Sequence, residues 1–290
     1  IAPGIVEAIR RRDTPIFEKA DEAAVYHFTD QLTRRHGVDD AAYRAALDAL
    51  GEAAWSGSKE CIEILIEAGA KLNAVSREGW CALAGAAYRG HADCVDVLLR
   101  AGSRVDLASN DGTTALHWAS YRDDIETVGL LLDAGADVNA TNDLGATPLW
   151  AAGQNGSAAM VRRLLTAGAN PNLALLAGET PLMVAARSGA PDVVELLLTH
   201  GAETEARGAR GQTALMWAVA QHHASVVTVL LANGADVHAR SDVWSQMMGV
   251  PPHGQPEYNR QTTHGGNTAL MFAARVGDVA SARHLLAAGA

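Results

Sequence analysis

Apolar residues recur in short clusters at helical spacing, separated by polar, glycine-marked turns. Val128, Leu131 and Leu132 mark one face of a helix, and Leu116 and Ala119 mark another. Each cluster pair reads as two short helices. The first opens on a Thr-Ala-Leu or Thr-Pro-Leu element, and the second ends at a glycine. The hydroxyl of the threonine suits an N-cap, accepting a free backbone N–H. Pro148 and Pro181 fall at the first helical position, where a missing N–H costs nothing. The closing glycine suits a left-handed C-cap. A polar extended stretch such as Asp137-Val138-Asn139-Ala140 then leads to the next turn.

The pattern repeats. The motif leucines are Leu83, Leu116, Leu149, Leu182, Leu215 and Leu270, spaced by 33 residues four times and then by 55. Gly79, Gly112, Gly145, Gly178, Gly211 and Gly266 precede the motifs in the same register. Gly69, Gly102, Gly135, Gly168, Gly201, Gly234 and Gly289 close the units. A unit this small cannot bury its own apolar face, so neighbours must stack, and the expected architecture is a solenoid. Small residues at Ala86, Ala119, Ala152, Ala185, Ala218 and Ala273 allow close approach between units.

Period 33, the T-[AP]-L element, Gly90-His91 at the centre of a unit and the LLxxGA ending resemble the ankyrin repeat over residues 48–290. The resemblance implies an all-α repeat solenoid of seven helix-turn-helix units with β-hairpin or loop fingers, the first unit being divergent at Asp48-Ala49-Leu50. Asp123 and His222 replace the central glycine and Cys81 replaces the capping threonine, which predicts local loosening without loss of the fold.

Residues 1–47 break the register and read as a helical N-terminal cap, with Val25, Phe28 and Leu32 on one face. Residues 1–54 also resemble the late helical region of carboxymuconolactone decarboxylase-like proteins. That family's reactive Cys-x-x-Cys or Glu/His group has no match here, so the resemblance carries over no catalytic residue. It leaves a second reading open: a regulatory or relic appendage of an enzyme whose active site lies upstream.

The last spacing is 22 residues longer than the others, which places an insertion at 241–262. Pro251, Pro252, Gly254 and Pro256 forbid a long helix there. The segment reads either as a poorly ordered surface loop or as a finger along the concave face, given apolar weight by Trp244, Met247 and Met248.

Composition narrows the chemistry. The net charge is −10, which argues against nucleic acid as the main ligand. No apolar run of membrane-spanning length occurs. Three cysteines are too few for a disulfide framework. Cys61 and Cys94 are 33 residues apart, hence about one repeat rise apart and beyond disulfide reach. They read as buried thiols. Of the 11 histidines, His91, His117 and His223 fall at repeat positions that suit backbone bonding between units. A metal site from His222, His223, His253 and His264 is disfavoured because adjacent histidines cannot share a helix face. Asp39-Asp40 and Asp123-Asp124 read as solvated or capping carboxylates. No nucleotide-binding or nucleophile motif occurs. The chain is expected to be non-enzymatic, with no cofactor and no metal, and to be a monomer. The compartment stays open: cytoplasmic by default, exported if an upstream signal exists. The apolar ending Leu285-Leu286 is expected to fray, pair or continue past Ala290.

A repeat scaffold works through its surface. The ankyrin resemblance implies partner-binding residues at finger tips and first helices: Arg77, Glu78, Trp80, Tyr88, Arg89, Asn110, Asp111, Thr113, Tyr121, Arg122, Asp143, Gln154, Asn155, Arg187, Arg210, Gln212, Gln221, Trp244 and Arg275. Leu144 falls at the same kind of tip. The early set is rich in Trp, Tyr and Arg, the residues that dominate interfaces. Trp80 and Tyr88 alternatively pack on the adjoining hairpin. Trp118, Trp150 and Trp217 read as core. The expected partner is an unidentified protein.

Overall fold

The computed structural model describes residues 49–77, 79–248 and 260–290. The expected N-terminal cap at 1–47, its likeness to decarboxylase-like helices up to residue 48, and Glu78 lie outside the described residues. The chain divides into two compact units, residues 1–143 and 144–290. The register alone suggested one domain from 48 onward.

In the first unit a helical stretch at 49–56 is followed by α1 (Lys59–Glu67), α2 (Ala82–Arg89), α3 (Ala92–Arg100), α4 (Ala115–Tyr121) and α5 (Ile125–Asp133). Helix α2 packs on α4, α1 on α3 and α3 on α5, so first helices stack on first helices and second on second. None exceeds 9 residues. Isolated helices of that length are unstable in water, so stacking holds them. Leu83, Leu98, Leu116 and Leu131 are at most 1% exposed. Each such side chain contributes about 1.5–3 kcal/mol by leaving water.

The second unit comprises α6 (Pro148–Asn155), α7 (Ala158–Thr166), α8 (Pro181–Ser188), α9 (Pro191–Thr199), a 3-10 turn (Ala209–Gly211), α10 (Ala214–Ala220), α11 (Ala224–Ala232), β1 (Val243–Met248), β2 (Arg260–Gly265), α12 (Ala269–Val276) and α13 (Val279–Ala287). The sequence of contacts is the same: α6 on α8, α8 on α10 and α10 on α12 in one row, α7 on α9, α9 on α11 and α11 on α13 in the other.

The caps follow the sequence closely. Thr147, Thr180 and Thr268 accept from the backbone N–H of Trp150, Met183 and Met271 at 3.1, 3.3 and 3.4 Å. Cys81 keeps the role of the threonine it replaces: its Sγ accepts from Ala84 N at 3.4 Å. Asp124 caps α5 through Thr127 N at 3.0 Å. Asp123 and His222, which stand where glycine is usual, adopt left-handed backbone at φ 58° and 61°. The loosening expected there appears as strain on one residue each, with the helices intact.

Backbone N–H groups beyond the helices are met from the neighbouring repeat. Asn73 Oδ1 accepts from Arg104 N at 2.7 Å and Asp106 Oδ1 from Asp137 N at 3.0 Å. The second unit repeats this with Asn172 Oδ1 and Glu203 N at 2.8 Å, and with Glu205 Oε1 and Asp236 N at 2.9 Å. His91 Nε2 lies 3.2 Å from the Trp55 carbonyl and His223 Nε2 3.0 Å from that of Arg187, both between repeats as expected. His117, expected to bond between units like the other two, closes its own turn: the Thr114 N–H donates to its Nδ1 at 3.2 Å.

The insertion contains an antiparallel pair in place of a plain loop. β1 and β2 run in register from Val243 opposite Gly265 to Met248 opposite Arg260. Its tip, with Pro251, Pro252 and Pro256, lies outside the described residues. At the chain end α13 is formed through Ala287; Leu285 is fully buried and Leu286 is exposed.

Candidate functional site

In the first unit, the stretch 49–56, the turn before α2, α2 itself and α4 bring five aromatic rings into one wall. Trp55 stacks on Tyr88 with centroids 5.4 Å apart and an interplanar angle of 22°. Trp80 stacks on Trp118 at 5.1 Å and 21°. Edge contacts join the two stacks: Trp55–Trp80 at 6.0 Å, Trp80–Tyr88 at 5.6 Å and Tyr88–Trp118 at 5.0 Å. Tyr121 meets Trp118 edge-on at 6.5 Å and is about half exposed. These centroid separations are those at which ring quadrupoles attract.

Two arginines lie on the wall. The Arg89 guanidinium sits 5.3 Å from the Trp55 ring centroid and that of Arg122 5.9 Å from Tyr88. A cavity of about 520 Å³ opens beside the wall, lined by Leu50, Glu52, Trp55, Val75, Arg77 and Trp80 among others. Gly85 also lines it; a β-carbon there would touch Trp55 at 3.7 Å, an ordinary van der Waals contact.

The finger tips are fixed by backbone bonds. Asn110 Nδ2 donates to the Arg77 carbonyl at 2.9 Å, and Asp143 N donates to the Asp111 carbonyl at 2.8 Å. Asp111 accepts from the Ser109 hydroxyl and from Thr113 Oγ1, and these bonds, Ser109 first, hold its carboxyl below the usual range. Thr113 itself is buried. It braces the turn with its side chain turned inward, a correction to its expected exposure. Arg77, Asn110 and Asp143 are exposed.

The second unit offers a different surface. Arg187 is half-buried, paired with Glu179 at 2.6 Å and lying 5.6 Å over Trp217. It is held within the fold. Arg210 is exposed with φ 63°, and its carbonyl accepts from Asp242 N at 2.8 Å. Gln154, Asn155 and Gln221 are exposed and Gln212 half-buried. Arg275 donates to Asn267 Oδ1 at 3.2 Å and lies over Phe272 at 5.6 Å. Trp244 is on β1 opposite His264. Leu144 and Leu176 are exposed on adjacent tips, tied by a 2.9 Å bond from Leu176 N to the Leu144 carbonyl.

Trp55 and Trp118 belong to the wall although sequence reasoning left the first out and placed the second in the core. Trp118 is half-buried, one side in the packing and one in the wall. A signal for Trp55 existed: it is 33 residues before Tyr88, which is 33 before Tyr121. No group of three or more His, Cys, Asp or Glu side chains is placed to hold a metal ion among the described residues. Among the same residues no helix is long and apolar enough to cross a membrane.

Comparison with known proteins agrees with this architecture. No curated protein matches the chain. The family model for ankyrin repeats in three copies matches residues 50–142 and 149–241, and that for a single ankyrin repeat matches 265–290. The gap before residue 265 is where the hairpin lies. Ankyrin repeats are in general protein–protein interaction modules. With more than half of its length matched, the chain belongs to the ankyrin-repeat family.

Proposed function

We propose that this protein is a non-enzymatic scaffold that grips a partner protein on the face formed by first helices and finger tips, the concave face of an ankyrin stack. The aromatic wall of the first unit is its principal contact. One observation carries the reading: five rings in mutual contact, capped by two exposed guanidiniums, at the register positions where this repeat presents its side chains. Tryptophan, tyrosine and arginine contribute most to interface energies, because they bury large rigid areas at small entropic cost. Its acidic charge supports a protein partner over a nucleic acid.

The test is capture of partners from the source lysate by the full chain and by the double variant Tyr88→Ala, Tyr121→Ala. Weaker capture with unchanged helicity and melting is the expected result. Unchanged capture would remove the wall from the contact, and a lost fold would make both tyrosines structural.

A further inference from the structure

The aromatic wall has a register that the individual contacts conceal. Trp55, Tyr88 and Tyr121 occupy one repeat position, and Arg89 and Arg122 the next. Each arginine reaches back one repeat to the ring of its predecessor, Arg89 to Trp55 and Arg122 to Tyr88. The result is a ladder of alternating rings and guanidiniums. A guanidinium held against a ring by cation–π attraction still has N–H groups to offer a ligand. Both arginines are exposed, and neither they nor Arg77 form an ion pair with another described residue. Two of the carboxylates nearby are engaged by hydrogen bonds, while Glu52 in the cavity is exposed. Asp111 is held by Ser109 and Thr113, and Asp124 by Thr127 N and its hydroxyl at 2.6 Å. Asp123, beside Arg122, is exposed.

We propose that this ladder recognises an acidic peptide in polyproline II conformation, with carboxylates three residues apart and apolar residues between them lying on the rings. The inference rests on the reading of the wall as the binding surface and names the chemistry of its occupant. Helices α2 and α4 pack directly, which places their axes about 8–10 Å apart and sets that interval for groups at equivalent repeat positions. A polyproline II chain rises ~3.1 Å per residue with three residues per turn, so every third side chain faces the same way at ~9 Å spacing. A β-strand alternates its side chains and would turn the third one away. A guanidinium edge takes a carboxylate through paired N–H bonds, and flat rings take proline. The two exposed guanidiniums offer paired N–H donors to carboxylates. A nucleic acid backbone would meet the field of a chain of net charge −10.

The experiment is fluorescence anisotropy on the full chain at low salt, about 50 mM, where surface charge is least screened. The probe is a labelled peptide of four Glu-Pro-Pro triplets. Comparison probes are the Gln-Pro-Pro peptide, an alternating Glu-Pro peptide and an oligothymidylate. The Glu-Pro-Pro peptide is expected to bind at least tenfold more tightly than each of the others. Arg89→Gln with Arg122→Gln is expected to cost at least tenfold with melting unchanged, and Arg89→Lys with Arg122→Lys an intermediate amount, since charge survives and the planar fork does not. Absence of Glu-Pro-Pro binding, equal binding of the glutamine or alternating peptide, tighter binding of the oligothymidylate, or indifference to the arginine pair would overturn the inference. The tyrosine variant's capture result is independent of these arms. Lost capture with no preference for Glu-Pro-Pro keeps the wall as a contact and rejects the acidic ligand. Retained capture with a clear preference rejects the wall as the main partner contact while the ladder's ligand chemistry holds.

Discussion

The imidazole of His223 lies directly on Gly189, so that a β-carbon at 189 would fall 2.6 Å from the ring. His223 can reach the Arg187 carbonyl at 3.0 Å only because nothing projects from position 189. Gly189 also needs its freedom for a φ of 78°. Gly189→Ala therefore meets two costs, a left-handed strain of about 1–2 kcal/mol and the clash. His223→Ala removes the clash and the bond, at about 1 kcal/mol. In a double-mutant cycle by denaturant unfolding, the pair is expected to cost less than the sum of the single changes. Simple additivity would show that the ring and the glycine are not coupled.

Leu131 is fully buried between α5 and its neighbours in the first unit. Leu131→Ala loses the transfer energy of the side chain and leaves a cavity, for about 2–5 kcal/mol of stability. Thermal and denaturant unfolding measure it. A cost below about 1 kcal/mol would mean that the stack closes around the gap.

How much of this was legible in the sequence depended on what kind of physics fixed each feature. The caps were legible because Thr147-Pro148 and Thr180-Pro181 solve a local problem, the free N–H groups of a helix start, with local residues. The inter-repeat bonds of His91 and His223 followed from the register. The wall was half legible: Tyr88 and Arg89 stood out, but Trp55 lay in the divergent first unit where the motif is weakest. Thr113 went wrong because its side chain answers Asp111 two residues away, a local bond that the repeat position does not encode. The strands of the insertion were hidden by its prolines and glycines, which argue only against helix. Val243, Thr262 and Thr263 favour strand, but pairing them across the tip requires a register the sequence does not state.

Cys94 lies on the buried face of α3, and burial, followed by the charges of Asp93 and Glu60, pushes its thiol from 9.0 up to about 11. The folded protein therefore holds this proton at pH values where the unfolded chain has released it. Stability from this group is complete below about pH 9 and is lost as the pH rises toward 11. Unfolding followed from pH 8 to pH 11 is expected to show a shallower alkaline decline in Cys94→Ala than in the parent. An unchanged slope would assign the decline to other groups. Ellman's reagent should leave Cys94 unmodified at pH 8 until denaturant is added.

Gly135 has φ 87°, and a β-carbon built there meets nothing within 4 Å. Its requirement for glycine is conformational alone, with no crowding. Gly135→Ala and Gly135→Val are both expected to cost at least about 1–2 kcal/mol, with valine the worse because its branched side chain resists left-handed backbone. If alanine were neutral by denaturant unfolding, the turn would be rearranging at little cost.

Asp123 and His222 present the converse case, since both hold left-handed backbone that glycine adopts without strain. Replacement by glycine relieves about 1–2 kcal/mol in the folded state and returns about 0.4–1 kcal/mol of entropy to the unfolded chain. The expected balance is a gain of about 0.5–1 kcal/mol for Asp123→Gly. His222→Gly should gain less. Burial alone would raise the Asp278 carboxyl, but its bonds to Ser281, with help from the charge of His222, hold it below the usual range, and the substitution removes that help. Thermal unfolding of the two variants reads this directly. A loss of stability in Asp123→Gly would mean that its side chain contributes more to the folded state than the strained turn costs.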